Sequence, residues 1–84
     1  MGIGMMNRRI VLLVDDDVTG TAIRSLMYQE EGFIAFTTFC GQEAIKLCEH
    51  LPVHLVVLDM QMPEMGGLEV AKRIRSIRSS IPIV

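Results

Sequence analysis

No stretch of this 84-residue sequence is apolar for long enough to cross a membrane as a helix. Its longest apolar runs are of strand length, whereas a spanning helix takes about 20 residues. Met1 to Asn7 lacks the apolar segment of a secretory leader, and the Ile10 run that follows Arg8 and Arg9 ends in acids, not at a cleavage site. Gly2 stands where a myristoyl group is attached, but Met6 occupies the position that calls for Ser or Thr. A cytoplasmic location is therefore the expectation. Cysteine is scarce: Cys40 and Cys48 have no companion pair, which leaves two reduced, largely buried thiols and no disulfide framework. Together with His50 and His54 they form C-x7-C-x-H-x3-H, a spacing that fits no common zinc site. Charge of neither sign dominates. The formal net charge of −2 argues neither for a nucleic-acid surface nor for an acidic tail, and Arg8, Arg9, Arg73, Arg75 and Arg78 read as solvated positions at a strand entry and on a helix face. Internal repeats, low-complexity tracts and linkers are also missing, so one small domain is the economical reading.

What the chain does have is a regular alternation of elements. Ile10 to Val14 is an unbroken apolar run, and Val18 to Glu31 carries Ala22, Ile23, Leu26 and Met27 at helical spacing before the stop at Gly32. Phe33 to Phe39 is aromatic and β-branched with partial alternation, a strand more exposed than the first. Gly41 to His50 places Ala44, Ile45 and Cys48 on one helical face ahead of Pro52. Leu55 to Leu58 is a second continuous apolar run, of the kind covered on both faces in a parallel sheet. Gly67 to Arg78 has an apolar stripe of Val70, Ala71, Ile74 and Ile77, with Glu69 and Arg73 paired at i, i+4. Ile81 to Val84 begins a fourth strand, with Pro82 tolerated near its start. The order is strand, helix, strand, helix, strand, helix, strand, each crossover long enough for a right-handed parallel connection.

Both apolar runs end in carboxylates: Asp15, Asp16 and Asp17 after the first, Asp59 after the other. Acids before a helix are ordinarily caps. Here, however, the two sites follow the two most buried strands at the carboxyl end of the sheet, where open α/β folds bind ligands. If those strands are neighbours, the carboxylates crowd one small volume, and an all-oxygen cluster of that kind suits a hard cation such as Mg²⁺.

The segments LLVDDD, LVVLDMQMPEMGGLEV and IPIV, at these separations, resemble the receiver domain of two-component response regulators from about Arg9 to Val84. That resemblance implies a flavodoxin-like, doubly wound parallel sheet with strand order 2-1-3-4. It implies that Asp59 is the phosphoacceptor, receiving a phosphoryl group from a histidine kinase or phosphotransfer protein. Mg²⁺ or another divalent cation would be held by Asp16, Asp59 and the backbone carbonyl of Gln61, with Asp15 acting through water. Met62, Pro63 and Gly67 would shape the loop. Gly66 departs slightly from the pattern, standing where small polar residues are frequent.

The family's Ser or Thr at the end of the fourth strand and its Lys at the end of the fifth have no counterpart here. The expected architecture is accordingly incomplete, β1-α1-β2-α2-β3-α3-β4, with residues 1–8 as an N-terminal extension. An impaired switch follows, together with an exposed IPIV edge and an apolar flank on the first helix, covered by a homodimer partner or by a further C-terminal segment. Two other readings stand beside this one. Asp15-x-Asp17-x-Thr19 fits the opening of haloacid-dehalogenase-like phosphatases, with Asp15 as nucleophile and Asp17 as acid/base. A pseudo-receiver would keep the acids as purely structural groups in a dimerising binding module.

Overall fold

A computed structural model describes residues 8–62 and 64–84. Its elements run β1 (Ile10–Val14), α1 (Val18–Glu30), β2 (Ile34–Thr38), α2 (Gly41–His50), β3 (Leu55–Leu58) and α3 (Gly67–Ile77). The sheet is parallel throughout, in the order β2-β1-β3. Leu12 lies between Phe36 and Val56, and Leu13 between Thr37 and Val57. This register puts alternate residues of all three strands on the same face.

One face carries the main core. Leu12, Val14, Val56 and Leu58 pack against Ala44, Ile45 and Cys48 of α2 and against Val70 and Ile74 of α3, closed off by Val53, Met62 and Ile81. β1 is sealed on both sides, Val11 to Val14 being wholly buried, as its unbroken apolar run requires. β3 is not: Leu55 and Val57 stay half-buried. α1 follows β1 and lies against β2 and β1, leaving that side of β3 uncovered among the described residues.

The same geometry leaves the expected apolar flank of α1 uncovered. Its apolar positions Ala22, Ile23, Leu26 and Met27 are exposed, Leu26 to 62%, and Thr21 is its one buried residue. The stripe is present in the sequence, but nothing among the described residues lies over it. The α3 stripe is also narrower than its periodicity suggests, with Val70 and Ile74 buried and Ile77 37% exposed.

The expected fourth strand is reduced to a single parallel bridge between Val56 and Ile83, on the far side of β3 from β1. Its ladder starts late because Pro82 has no N–H to give. The Pro82 carbonyl accepts from Val56 N–H at 3.0 Å, and only then does Val84 N–H reach the Val56 carbonyl at 2.9 Å. Gly32, with φ +100°, ends α1 in the left-handed conformation its position called for.

Arg78 joins α3 to the turn before β3. Its guanidinium donates to the Val53 carbonyl at 2.9 Å and, at 3.2 Å, to the Leu51 carbonyl, which also accepts from Val53 N–H. Burial pushes the Cys48 thiol up, against an opposing pull from the Arg78 charge, so this thiol is protonated and unreactive. Replacing Arg78 by Ala removes both bonds. The expected result is a loss of about 1.5 kcal/mol, measured by urea denaturation, with the unfolding slope unchanged.

Candidate functional site

The acids are set by main-chain hydrogen bonds that extend the sheet beyond its strands. Asp15 N–H donates to the Thr38 carbonyl at 3.1 Å, and Asp59 N–H donates to the Val14 carbonyl at 2.8 Å. Each acid is thus fixed to the end of a neighbouring strand, and both stand at the carboxyl edge of the sheet. Asp15, Asp16 and Asp59 each offer a carboxylate oxygen, and the three oxygens lie within 4.8 Å of one another.

Asp17, the fourth acid of the crowded volume, is used elsewhere. It is the N-cap of α1, its carboxylate accepting from Gly20 N–H at 3.1 Å while its carbonyl accepts from the Thr21 hydroxyl at 2.7 Å. A Cβ at Gly20 would lie 2.5 Å from the Asp17 carboxylate, so a glycine in the first helical turn makes room for this cap. The phosphatase reading requires Asp17 to work beside Asp15 as an acid/base, and this capping role disfavours it.

Asp59 Oδ1 accepts from Gln61 N–H at 3.1 Å, a tight turn that leaves Oδ2 without a main-chain donor. Gln61 itself is exposed. Met62 is buried in the main core and anchors the loop from below. Pro63 lies outside the described residues. Gly67 closes the loop: its N–H donates to the Met60 carbonyl at 3.2 Å, and a Cβ there would come within 2.5 Å of Met60 Cα and 2.6 Å of the Asp59 carbonyl oxygen. Gly66 caps α3 with its backbone alone and has open space around it. A shallow pocket lined by Asp16, Phe39, Cys40, Met62, Glu64 and Met65 opens beside the acids.

Two further contacts lay outside the sequence reading. Arg24 Nη2 donates to Asp15 Oδ2 at 2.5 Å, across nine residues and two turns of α1. An isolated Arg on a helix that follows an acidic turn was the only available signal. The Thr38 hydroxyl, fully buried, bonds the Glu43 carboxylate at the start of α2 and so steadies the strand end whose carbonyl holds Asp15.

Both Asp15 oxygens accept a hydrogen bond, Oδ1 from Asp17 N–H at 2.9 Å and Oδ2 from Arg24. Burial works to raise the Asp15 carboxyl, but the Asp17 N–H together with the hydrogen bond and charge of Arg24 outweigh it and hold the group below 3.8. A carboxyl depressed by folding adds stability above its unfolded value and loses it as the pH falls through the folded one. Without added divalent ion, the stability difference between wild type and Asp15→Asn should be flat near neutrality. It should shrink only below pH 3.8 or so, which urea denaturation at stepped pH would show.

The donor set fits a hard divalent ion. Opposed oxygens around such an ion are separated by two metal–oxygen bond lengths, about 4.2 Å for Mg²⁺ and about 4.8 Å for Ca²⁺. The three carboxylate oxygens, all within 4.8 Å of one another, fall within the reach of one such ion.

The chain is similar to known proteins in sequence and in fold. The family described as "Response regulator receiver domain" matches residues 11–84. The cell cycle transcriptional regulator CtrA of Caulobacter vibrioides is 34% identical over 76 residues, covering 90% of this chain and 32% of CtrA. The response regulator TrrA of Thermotoga maritima, solved in complex with Mg²⁺-BeF, is 36% identical with a TM-score of 0.85, over 89% of this chain and 65% of that one. TrrA is also solved in complex with the histidine kinase ThkA, with 36% identity and a TM-score of 0.84 over the same shares of the two chains. The chain spans about a third of the length of the first curated relatives it matches.

Proposed function

Because this chain belongs to the response-regulator receiver family, the phosphoacceptor domains of two-component signalling, we propose that Asp59 is its phosphoacceptor and that Asp15 and Asp16 serve the divalent ion used in the transfer. The observation that carries this reading is the convergence of the three carboxylates within 4.8 Å at the carboxyl edge of the sheet. Asp59 Oδ2 attacks phosphorus as the donor's bond to phosphorus breaks; with a phosphohistidine donor the bond lost is phosphorus–nitrogen, and the product is an acyl phosphate. Little covalent work falls to the protein, since such transfers depend on in-line positioning and on neutralising the phosphoryl oxygens.

Gln61 N–H orients Asp59 by holding Oδ1, and the Asp59 main chain is tied to β1 through Val14. Asp16 and Asp59, with the Gln61 carbonyl, would hold Mg²⁺ or another divalent ion directly, and Asp15 through water. When bound, the ion offsets the charge of the acids and of the incoming phosphoryl group. Met62 and Gly67 shape the loop that carries Gln61, Met62 from the core and Gly67 by its close approach to Asp59. Pro63 is assigned the same task from the sequence pattern.

The partner in this reading is a histidine kinase or phosphotransfer protein, the class seen bound to TrrA. The domain acts as an acceptor and not as a turnover enzyme, apart from slow loss of its own phosphoryl group by hydrolysis. Residues 9 to 84 act as one receiver unit in the cytoplasm. A second copy of the chain, or a further segment, would cover the outer edge at Ile83 and the apolar flank of α1. Labelling of the purified protein by acetyl phosphate, with and without Mg²⁺, tests the reading: Mg²⁺-dependent incorporation of one phosphoryl group is the expected result, and no incorporation under either condition would refute it.

A further inference from the structure

The acid cluster does not face solvent with its charge uncompensated. Arg24 reaches it from α1, and among the described residues its ion-pair partner is Asp15 alone. The contact is short, 2.5 Å, and its partner is well sheltered, the Asp15 side chain being 19% exposed. Arg24 Nε is buried with no hydrogen-bond partner among the described residues, so the side chain leaves one donor unsatisfied in order to place its charge on Asp15. The remaining oxygen of Asp15 is taken by Asp17 N–H. Each Asp15 oxygen thus already accepts one hydrogen bond, Oδ2 from a charged donor, and a metal ion would share that oxygen with the guanidinium.

We propose that Arg24 is a tethered counter-cation of the acid site: it pairs with Asp15 and thereby sets the site's affinity for divalent ions. The inference rests on the metal-binding reading of Asp15, Asp16 and Asp59 given above. Three carboxylates carry a formal charge of −3, and Arg24 reduces it to −2 in the volume where a doubly charged ion must sit. Two cations sharing one carboxylate repel each other, and in a partly sheltered site salt screens that repulsion only weakly. Arg24 thus weakens ion binding, and it does so as a positioning residue acting through Asp15.

Mn²⁺ binding followed by electron paramagnetic resonance, with Mg²⁺ as competitor, reads this effect without any phosphoryl transfer. Arg24→Ala and Arg24→Gln both remove the charge, and Arg24→Gln keeps more of the side chain should the shorter one disturb α1. Either variant should bind Mn²⁺ about tenfold more tightly than wild type, while Arg24→Lys should stay within about threefold of it. In an Asp15→Asn background, the gain from removing Arg24 should fall to less than half.

Wild-type affinity in both neutral variants, with the fold intact by circular dichroism, would overturn the role of Arg24 and leave the metal site standing. Weaker binding in those variants would overturn it as well, since Arg24 would then be a support for Asp15 and not a competitor of the ion. Absence of Mn²⁺ binding in wild type and variants alike would overturn the site reading, and the Arg24 inference with it.

Discussion

Asp59→Asn should abolish phosphoryl labelling by acetyl phosphate in the presence of Mg²⁺, with incorporation falling by about a hundredfold or more, because an amide cannot replace a carboxylate as the oxygen nucleophile. That factor corresponds to about 2.7 kcal/mol or more of lost transition-state stabilisation. The fold should survive unchanged. Asp59 contributes to the loop through Oδ1, which accepts the Gln61 N–H, and through a main-chain N–H bonded to Val14. The asparagine side chain keeps an oxygen acceptor and the backbone bond is untouched, so circular dichroism and the urea midpoint should match wild type. Equal labelling of the variant would mean that another acid receives the group. Asp16, exposed and within the same cluster, would then be the first residue to test.

Gly67→Ala should be the most disruptive single-carbon change in the chain, because the added Cβ meets main chain. Met60 Cα at 2.5 Å and the Asp59 carbonyl oxygen at 2.6 Å cannot be cleared by a rotamer change; Met60 Sδ at 2.9 Å can. Either α3 starts further from the sheet or the peptide after Asp59 is pushed aside, and both break the Gly67 N–H bond to Met60. A cost of about 2 to 3 kcal/mol is expected, which for a domain of this size lowers the melting temperature by about 10 to 20 °C. Labelling on Asp59 should fall with it, since the peptide that aims the carboxylate has moved. Gly66→Ser is the control: the site next door is open and lacks a side-chain cap, so the hydroxyl can take up that role and stability should hold or rise slightly. Equal effects from the two substitutions would mean that the loop tolerates bulk anywhere and that Gly67 has no special place in it.

Much of this arrangement was legible from residues alone, for identifiable reasons. β1 and β3 announced themselves by unbroken apolar runs, α2 by Ala44, Ile45 and Cys48 on one face, and the end of α1 by Gly32, whose φ of +100° few other residues adopt. The Glu69–Arg73 pair appears at 3.1 Å as the i, i+4 spacing suggested. Periodicity says which residues share a face but not whether anything lies upon that face. Ile23, Leu26 and Met27 stand at helical spacing, yet they are exposed, because coverage depends on elements elsewhere in the sheet. Pro82 marks a weak strand start, but the delay it imposes on the ladder is a matter of which carbonyl faces β3.

At the site, the grouping of the acids followed from strand order, while the division of labour among them did not. Asp15, Asp16 and Asp17 are identical in composition and adjacent in sequence. What separates them is direction: Asp17 turns back onto α1, Asp15 is pinned by Arg24 and by Asp17 N–H, and Asp16 is left exposed. Such contacts are fixed by side-chain reach in three dimensions, which spacing along a chain does not encode.

The two sides of the sheet are unequally roofed, and this has a bearing on how the molecule comes apart. α2 and α3 are locked to the strands by a continuous interior, whereas α1 buries only Thr21 of its own residues and is held besides by its cover over β1 and β2, the Tyr28–Phe33 ring contact, its cap and the Arg24 tether. In the spectrum of partial openings that precedes complete unfolding, the detachment of α1 is the least costly. Since that helix carries both the Asp17 cap and Arg24, its departure would loosen the acidic turn while Asp59 stayed anchored to β1.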